Sequence, residues 1–573
     1  MITIEVNGRP VEAKSGEMLL TALRRAHVHV PTLCHMEGMF PSGACRMCVV
    51  EVAGAPNLVP SCACPVRDGM KIQTHGERAL RARKTIVELL LADHPDDCLY
   101  CDRNSQCDLQ DLAAEYGVRS RRYAGGKRHH KKDLSSPALV RDPDKCILCG
   151  KCVRVCEEMQ GIGAIDFVGR GSNTHISVAF EDGLNLSSCI FCGQCVVACP
   201  TGALAERSHI KEVMEAIADP EKIVVVQNAP SVSITLGEAF GLKPGTDVNG
   251  LMAAALRRIG FEYVFDTSFS ADLTVMEEAS ELVKRIVKGE RLPLMTSCSP
   301  GWIKYVEQFY PEFIPNLSTC KSPQQMLGAV LKTYFAEKNG IDPRNVFDVA
   351  VMPCIAKKFE SGRPEMMHDG LPDVDAVLTT RELVQMIRMR HLDFNSLKPE
   401  PMDLPFGERS TAGKLFGASG GVTEAAIRTA HYLITGQDMD ELKVEAVRGI
   451  NGHKEMRLQV GGLDLGIAVV SGLKNAHDLL EEVRRGRRDL HFIEVMTCPG
   501  GCINGGGQLF RTDTEALRAR MQSLYAIDRN EPVRTAHANN SVKQLYADFL
   551  GEPLGEKSHA LLHTHYGTRE VMK

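Results

Sequence analysis

The chain has 573 residues, too many for one hydrophobic core, so several domains are expected. A net charge of -5 with both signs well mixed excludes a nucleic-acid-binding class, and no apolar run approaches the ~20 residues that cross a bilayer. The 21 cysteines cluster at metal-ligand spacings, which places the chain in a reducing, cytoplasmic compartment rather than among disulfide-stapled secreted proteins.

Met1–Val6 alternates like a strand and has no signal-peptide core. Asn7-Gly8 predicts a tight turn, Val11 onward a return strand, and Met18–Ala26 a helix. Cys34, Cys45, Cys48 and Cys62 follow at C-x10-C-x2-C-x13-C spacing. A loop of close thiolates closed by a distant one suits a 2Fe–2S cluster. Cys64 is surplus and is read as a buried small hydrophobe.

Arg78–Ala92 has helical periodicity and leads into His94, Cys98, Cys101 and Cys107. A histidine four residues before C-x2-C-x5-C is read as a cluster ligand. Its neutral imidazole would leave less negative charge on the cluster and raise its potential. The stretch from Met1 to about Ser120 resembles the N-terminal cluster module of the complex I large subunit. The basic run Arg119–Lys132 is read as a solvated linker.

Between Cys146 and Cys199 the spacing C-x2-C-x2-C-x3-C occurs twice, the second run ending in Pro200. This is the bacterial ferredoxin pattern for two 4Fe–4S clusters, in which the fourth cysteine of each run serves the other cube. The expected sets are Cys146, Cys149, Cys152 and Cys199, then Cys189, Cys192, Cys195 and Cys156. The doubled run and trailing proline argue against zinc. Four clusters in series are thus expected, using fifteen cysteines and His94 and leaving Cys64, Cys298, Cys320, Cys354, Cys498 and Cys502.

In the second half, Ile223–Gln227, Val349–Met352 and Phe492–Met496 read as buried parallel strands. Helical stretches such as Met276–Lys288 and Gln324–Asn339 alternate with them. The leftover cysteines fall at strand C-termini, where open α/β sheets bind cofactors. Three motifs there resemble the signatures of the iron–iron (FeFe) hydrogenases. They are Thr296-Ser297-Cys298-Ser299-Pro300-Gly301-Trp302, Met352-Pro353-Cys354 through Glu360, and Glu494 through Gly507. Pro532–Arg569 resembles the small-subunit segment of that family.

The resemblance implies multidomain α+β and α/β architecture. Its parts are a 2Fe–2S ferredoxin-like β-grasp (1–77), a small His/Cys cluster domain (78–120), a bacterial-type 2×4Fe–4S ferredoxin domain (138–208), an α/β H-cluster domain (221–511) and a C-terminal helical tail (512–573). It implies an H-cluster, a 4Fe–4S cube bridged by one thiolate to a two-iron unit bearing CO, cyanide and a dithiolate. Cys502 matches the bridging position, and Cys354 and Cys498 match two cube ligands. Lys357 matches a lysine that donates to one cyanide, Pro230 and Ser231 a turn at the other, and Met352 and Met496 soft packing around the two irons.

One position departs from the family's T-S-C-C-P. Ser299 stands where the cube-binding cysteine is usual, and Cys298 stands at the proton-relay position. Either Ser299 supplies an oxygen ligand or Cys298 is drawn into the cube. Proton delivery would follow Cys298, Glu278, Ser318, Glu281 and Arg285. Glu278 and Glu281 share one helix face, which by spacing alone would be a solvated face.

The implied activity is H2 ⇌ 2 H+ + 2 e–. No G-x-G-x-x-G follows a strand, so nicotinamide chemistry belongs on a partner. The expected partners are an NAD(P)-binding flavoprotein, a small 2Fe–2S subunit, ferredoxin and the maturases that insert the two-iron unit. The alternatives are an H2 sensor, which the Ser299 departure suggests, and an electron conduit of a complex-I or formate-dehydrogenase type.

Overall fold

The computed structural model describes residues 1–127 and 129–571; Arg128, within the basic run, lies outside them. The N-terminal strands Ile2–Val6 and Arg9–Ala13 pair antiparallel around Asn7 and Gly8. Both turn residues take positive φ (52° and 79°), the mirror-image turn that matches strand twist. A five-stranded sheet continues through Lys71–Gln73, Val49–Val52 and Val59–Pro60. Helix Leu19–Arg25 buries Leu19, Leu20, Ala22 and Leu23 in that unit's core. Helix Glu77–Asp93 then leads to His94.

The basic run is exposed at most of its described residues, in keeping with a solvated linker, and is tied to its own chain at a few points. Lys127 Nζ lies 2.5 Å from Asp96 Oδ2, Arg121 also pairs with Asp96, and the His130 backbone N–H donates to Asp144 at 2.7 Å. The acidic partners, distant in sequence, could not be read from the run itself.

In the ferredoxin-like unit Leu139–Arg141 pairs antiparallel with Leu204–Glu206, and short helices Lys151–Arg154 and Gln194–Ala198 carry the middle cysteines. The two cysteine loops repeat one backbone trace. Leu148 and Gly150 (φ 53° and 74°) correspond to Phe191 and Gly193 (φ 58° and 74°).

The second half holds two four-stranded sheets, where the strand pattern suggested one α/β unit. The first is all parallel, in the order Tyr263–Asp266, Ile223–Asn228, Val346–Met352, Ala376–Thr379. The second runs Leu294–Met295, Phe492–Met496, Leu463–Ser471, His453–Val460, with only the last strand antiparallel. Strand Phe492–Met496 is buried throughout, and Ile223–Asn228 is buried except at its first residue, as sheets covered on both faces require.

Helix Thr267–Lys288 carries a long run of buried polar residues, including Ser270, Asp272, Thr274, Glu277, Glu278, Glu281 and Arg285. It packs against Thr411–Leu415 so closely that a Cβ on Gly413 would lie 2.1 Å from the Ser268 carbonyl. The tail helix Thr514–Asn530 is fixed by a buried ion network. Arg428 bridges Glu424 Oε1 (2.7 Å) and Asp528 Oδ1 (2.8 Å), and Arg448 binds the same two carboxylates at 2.7 Å. Removing one partner from such a network leaves a buried charge under-compensated. Arg428→Met is therefore expected to lower unfolding stability by about 3–5 kcal/mol, read as a lower urea midpoint. An unchanged midpoint would mean that Arg448 alone satisfies both carboxylates.

Candidate active site and cluster chain

The N-terminal thiols converge. Cys34 is in hydrogen-bonding contact with Cys45 and Cys62, and Cys48 with Cys62. These contacts push Cys34 and Cys48 below the usual thiol range and Cys45 and Cys62 well above it, so the four share protons that a bound metal core would displace. Cys62 lies in a 3₁₀ turn, Ser61–Ala63, rather than on the expected strand. Cys64 therefore does not share its face. It is half-buried, not fully buried, with its sulfur 3.6 Å from the Pro65 carbonyl.

His94 follows the last turn of its helix. Its Nδ1 lies 3.1 Å from the Pro95 carbonyl, while Nε2 is buried with no partner. Burial holds the imidazole below its ordinary pKa, hence neutral. A buried, unpartnered ring nitrogen is what a metal ligand would leave in a protein-only structure. Cys98 is exposed, and Cys101 and Cys107 are half-buried. A Cβ on Gly202 would lie 2.5 Å from the Cys101 sulfur, so this site abuts the ferredoxin-like unit.

Two basic groups missed in the sequence sit at that junction. Lys145 reaches Asp97 at 3.1 Å, and buried Arg103 donates to the Cys199 carbonyl at 2.8 Å while stacking on Phe510. Their only sequence signal was position beside cysteine motifs. Cys45, Cys107 and Ile147 share one apolar cluster. Residues of both N-terminal sulfur sets thus pack on the same apolar core as the Cys146 loop.

The ferredoxin-like sulfurs line two cavities in the crossed sets. One, with about 430 Å³ of atom-free space, is lined by Cys146, Cys149, Cys152 and Cys199. The other, about 480 Å³, is lined by Cys189, Cys192, Cys195 and Cys156. Backbone N–H groups of Leu148 and Phe191 point at Cys146 and Cys189 sulfurs at 3.4 Å, a pattern that favours thiolate. Burial, with the neighbouring thiols, raises Cys152, Cys192 and Cys195 well above the usual range. A soft, positive metal core would reverse that cost by binding the deprotonated forms.

A third cavity, with about 810 Å³ of atom-free space, lies between the C-terminal ends of the two catalytic sheets. Strand Ile223–Asn228 leads to Pro230 and Ser231; Val346–Met352 leads to Met352 and Cys354; Phe492–Met496 leads to Met496 and Cys498. All of these line the cavity with Cys298, Ser299, Lys357 and Cys502. Lys357 is buried and donates to Glu360 Oε2 at 2.8 Å. Ser231 Oγ accepts from Gln508 Nε2 at 3.3 Å. Ser299 Oγ is paired with Thr497 Oγ1 at 2.8 Å. Cys298 packs with Met496 and Phe416, and its thiol is pushed up by burial and then by the facing Glu278. The two adjacent residues therefore part company, Ser299 toward Thr497 and Cys298 toward Glu278.

Sequence reasoning missed Thr267, Gln324 and Phe416 on the cavity wall. Gln324 Oε1 is buried and unpartnered. Two adjacent glutamines, Gln324 and Gln325, in an otherwise apolar helix were a legible signal of this. Five cysteines, an unsatisfied amide and a mostly apolar wall suit a rigid sulfur-anchored metal group.

Glycines set the spacing between this cavity and the neighbouring cube site. A Cβ on Gly505 would lie 2.2 Å from the Pro353 carbonyl, and one on Gly506 would lie 2.2 Å from the Cys192 carbonyl. Cys192 lines both cavities.

Behind Cys298 a buried polar row begins. Ser318 bonds the Glu278 carboxyl and donates to Glu281 Oε2 at 3.1 Å; Glu281 Oε1 holds Arg285 at 2.6 Å. The helix face expected by spacing to be solvated is buried. Burial is the main cause that pushes Glu278 up to about 8, with Glu281 and Glu494 adding repulsion against the opposing Ser318 bond. Cys320, one of the cysteines left over by the cluster motifs, is fully buried in an apolar cluster.

The chain matches family models along most of its length. Residues 1–77 match a 2Fe-2S iron-sulfur cluster binding domain and 83–122 the NADH-ubiquinone oxidoreductase-G iron-sulfur binding region. Residues 140–203 match a 4Fe-4S dicluster domain, 222–506 the C-terminal domain of the iron only hydrogenase large subunit, and 514–569 the iron hydrogenase small subunit. It is 47% identical to the NADP-reducing hydrogenase subunit HndD of Solidesulfovibrio fructosivorans, covering 100% of this chain and 99% of that protein. It is 38% identical to iron hydrogenase 1 of Clostridium pasteurianum over 99% and 100% of the two chains. The apo FeFe-hydrogenase HydA1 of Chlamydomonas reinhardtii superposes with a TM-score of 0.58 at 40% identity, covering 64% of this chain and all of that one. With the sulfur-lined cavities and this full-length likeness together, the chain belongs to the FeFe-hydrogenases, iron–sulfur enzymes of hydrogen oxidation and proton reduction.

Proposed function

We propose that this hydrogenase is the hydrogen-activating subunit of a multisubunit NAD(P)-linked enzyme, with one 2Fe–2S and three accessory 4Fe–4S clusters feeding its H-cluster. The observation that carries this reading is the shared wall at Cys192, which joins the catalytic cavity to the ferredoxin-like sulfur sites. The N-terminal sulfur sites beyond them would offer surfaces for electron exchange with a flavoprotein that binds NAD(P), and with ferredoxin or a small 2Fe–2S subunit. The name of the HndD relative, an NADP-reducing hydrogenase subunit, supports the same assignment.

Cys354, Cys498 and Cys502 would hold the cube, Cys502 also bridging to the two-iron unit; Lys357, Pro230, Ser231, Met352 and Met496 would surround that unit. When bound, the H-cluster supplies the metal centre at which H2 is split or formed. The chain's own residues exclude water and carry the proton. Ser299, fixed by Thr497, takes the cube-facing position, and Cys298 keeps the relay position facing Glu278. A carboxyl with a pKa near neutrality can both accept and release a proton, so Glu278 suits the next step. Ser318 passes the proton to Glu281 Oε2 by exchange of its hydroxyl hydrogen. The buried continuity of this row favours an enzyme over a slow H2 sensor.

Three outcomes are expected. Cys298→Ser should lower turnover by about 10²–10⁴-fold while the iron content per chain stays unchanged; loss of the cube's iron would instead place Cys298 among its ligands. The Glu278 carboxyl should give an infrared C=O band near about pH 7 that fades as pH rises through about 8 and is absent from Glu278→Gln. The sign follows from a folded pKa above the ordinary 4.5. Between those values the folded state holds the extra proton, so this group's contribution to stability falls as pH rises. Finally, H2-dependent NAD(P) reduction should require co-purifying subunits. Reduction by the isolated chain would rule out the multisubunit assignment.

A further inference from the structure

The row from Cys298 to Glu281 ends at Arg285, and a guanidinium cannot give up its proton in a protein. Arg285 positions one oxygen of Glu281, Oε1, at 2.6 Å. The other oxygen, Oε2, receives three donors: Ser318 Oγ at 3.1 Å, the Thr319 backbone N–H at 3.1 Å and Thr319 Oγ1 at 3.3 Å. Thr319 Oγ1 is also 2.8 Å from His563 Nδ1. Oε2 is thus the oxygen on which a proton arrives, and a titratable ring stands one hydroxyl beyond it.

We propose that His563 is a proton-relay residue that carries the route one step beyond Glu281, through Thr319. The inference rests on the reading of Cys298, Glu278, Ser318 and Glu281 as the proton route. One proton crosses and no electrons move. The Glu281 carboxyl donates its hydrogen to Thr319 Oγ1, the Thr319 hydroxyl hydrogen passes to His563 Nδ1, and the ring's Nε2 proton passes to Glu277 Oε2, 3.1 Å away. This leaves Glu281 as carboxylate, the ring neutral and the proton on Glu277; hydrogen evolution runs the same transfer in reverse. With Glu281 ionised, Thr319 donates back to Oε2, so the hydroxyl's bond direction follows the proton's position.

The ring is held at both nitrogens. His563 Nε2 lies 3.1 Å from Glu277 Oε2, and Glu277 is fully buried. Glu277 is fixed in turn by Tyr546 OH at 2.6 Å and the Leu554 backbone N–H at 2.7 Å. The other titratable groups around the ring are Glu281 and Cys320, whose ligating atoms lie within 4.8 Å of a ring nitrogen, and His559, stacked on it at 4.5 Å. Lys284 and Tyr566 act at longer range through His559 and Cys320. His563 is buried but His559, one helical turn earlier, is exposed. The tail is held in register for this contact. The Thr564 N–H donates to the Thr319 carbonyl and the Lys321 N–H to the Leu562 carbonyl, both at 2.8 Å.

The test uses the full chain with all clusters inserted. His563→Gln keeps two hydrogen-bonding atoms but cannot carry a proton near neutral pH. It is expected to slow H2 oxidation by about tenfold, raise the solvent deuterium isotope effect, and leave dithionite reduction of the accessory clusters unchanged. Glu278→Gln serves as the reference block. Parental turnover and isotope effect in His563→Gln, beside a collapsed Glu278→Gln, would overturn the His563 step and leave the route to Glu281 standing. Full turnover in both would remove the route itself. A slowed His563→Gln with the parental isotope effect would make the ring a strut and overturn the proposal as well.

Discussion

The close approach of Gly506 to the carbonyl of Cys192 is the constraint on which the arrangement depends. Electron transfer between buried centres slows steeply with distance, and a side chain at this point would push the catalytic loop off the ferredoxin-like unit. Gly505 makes the same demand against Pro353. The glycine run therefore serves two loops at once. It lets Cys502 enter the cavity from one side and lets Cys192 wall it from the other. Gln194 and Gln160 add bonds across the same seam, to the carbonyls of Asn504 at 3.0 Å and Thr497 at 3.1 Å. The domains are thus joined where the chemistry requires adjacency.

The long helix Thr267–Lys288 meets a second constraint. A helix in a protein interior normally offers an apolar face, whereas this one buries Glu277, Glu278, Glu281 and Arg285 together. Each such group is costly unless it is paired. The pairing is graded along the helix. Glu281 is ion-paired, Glu277 is fixed by Tyr546 and the tail, and Glu278 has mainly Ser318. The least compensated carboxyl is the one nearest Cys298. Its raised pKa follows from that poverty of partners, so function and the local instability of the charged form have one cause.

Much of this was legible in the sequence because cysteine spacing is a geometric statement. A C-x2-C-x2-C loop can wrap only a compact centre, and the crossed sets line separate cavities as the doubled motif implied. Strand-end cysteines likewise gave the catalytic cavity. The rest was hidden for physical reasons. The second sheet escaped notice because its outer hairpin strand, His453–Val460, is polar and half-exposed and has no motif. The common core under Cys45, Cys107 and Ile147 was invisible because it joins residues far apart in sequence. Period-based reasoning put Glu278 and Glu281 on a wet face, since spacing reports which residues share a face and not what covers it. Arg103 and Lys145 were unreadable for the same reason.

The serine at position 299 can be understood from its neighbours. The turn before helix Pro300–Phe309 points two consecutive side chains in different directions, so relay and cube functions need not compete for one sulfur. Thr497 meets Ser299 with its hydroxyl at 2.8 Å and its N–H at 3.4 Å, and the site therefore already supplies donors to an oxygen. A bare alkoxide is a far stronger base than a thiolate and would be costly in this wall without such donors. The pairing with Thr497 makes an oxygen at the cube-facing position physically tenable, while Cys298, packed on Met496 and Phe416 and facing Glu278, stays where a thiol can exchange a proton. The departure from the family pattern thus falls on the residue paired with Thr497 and not on the one facing Glu278.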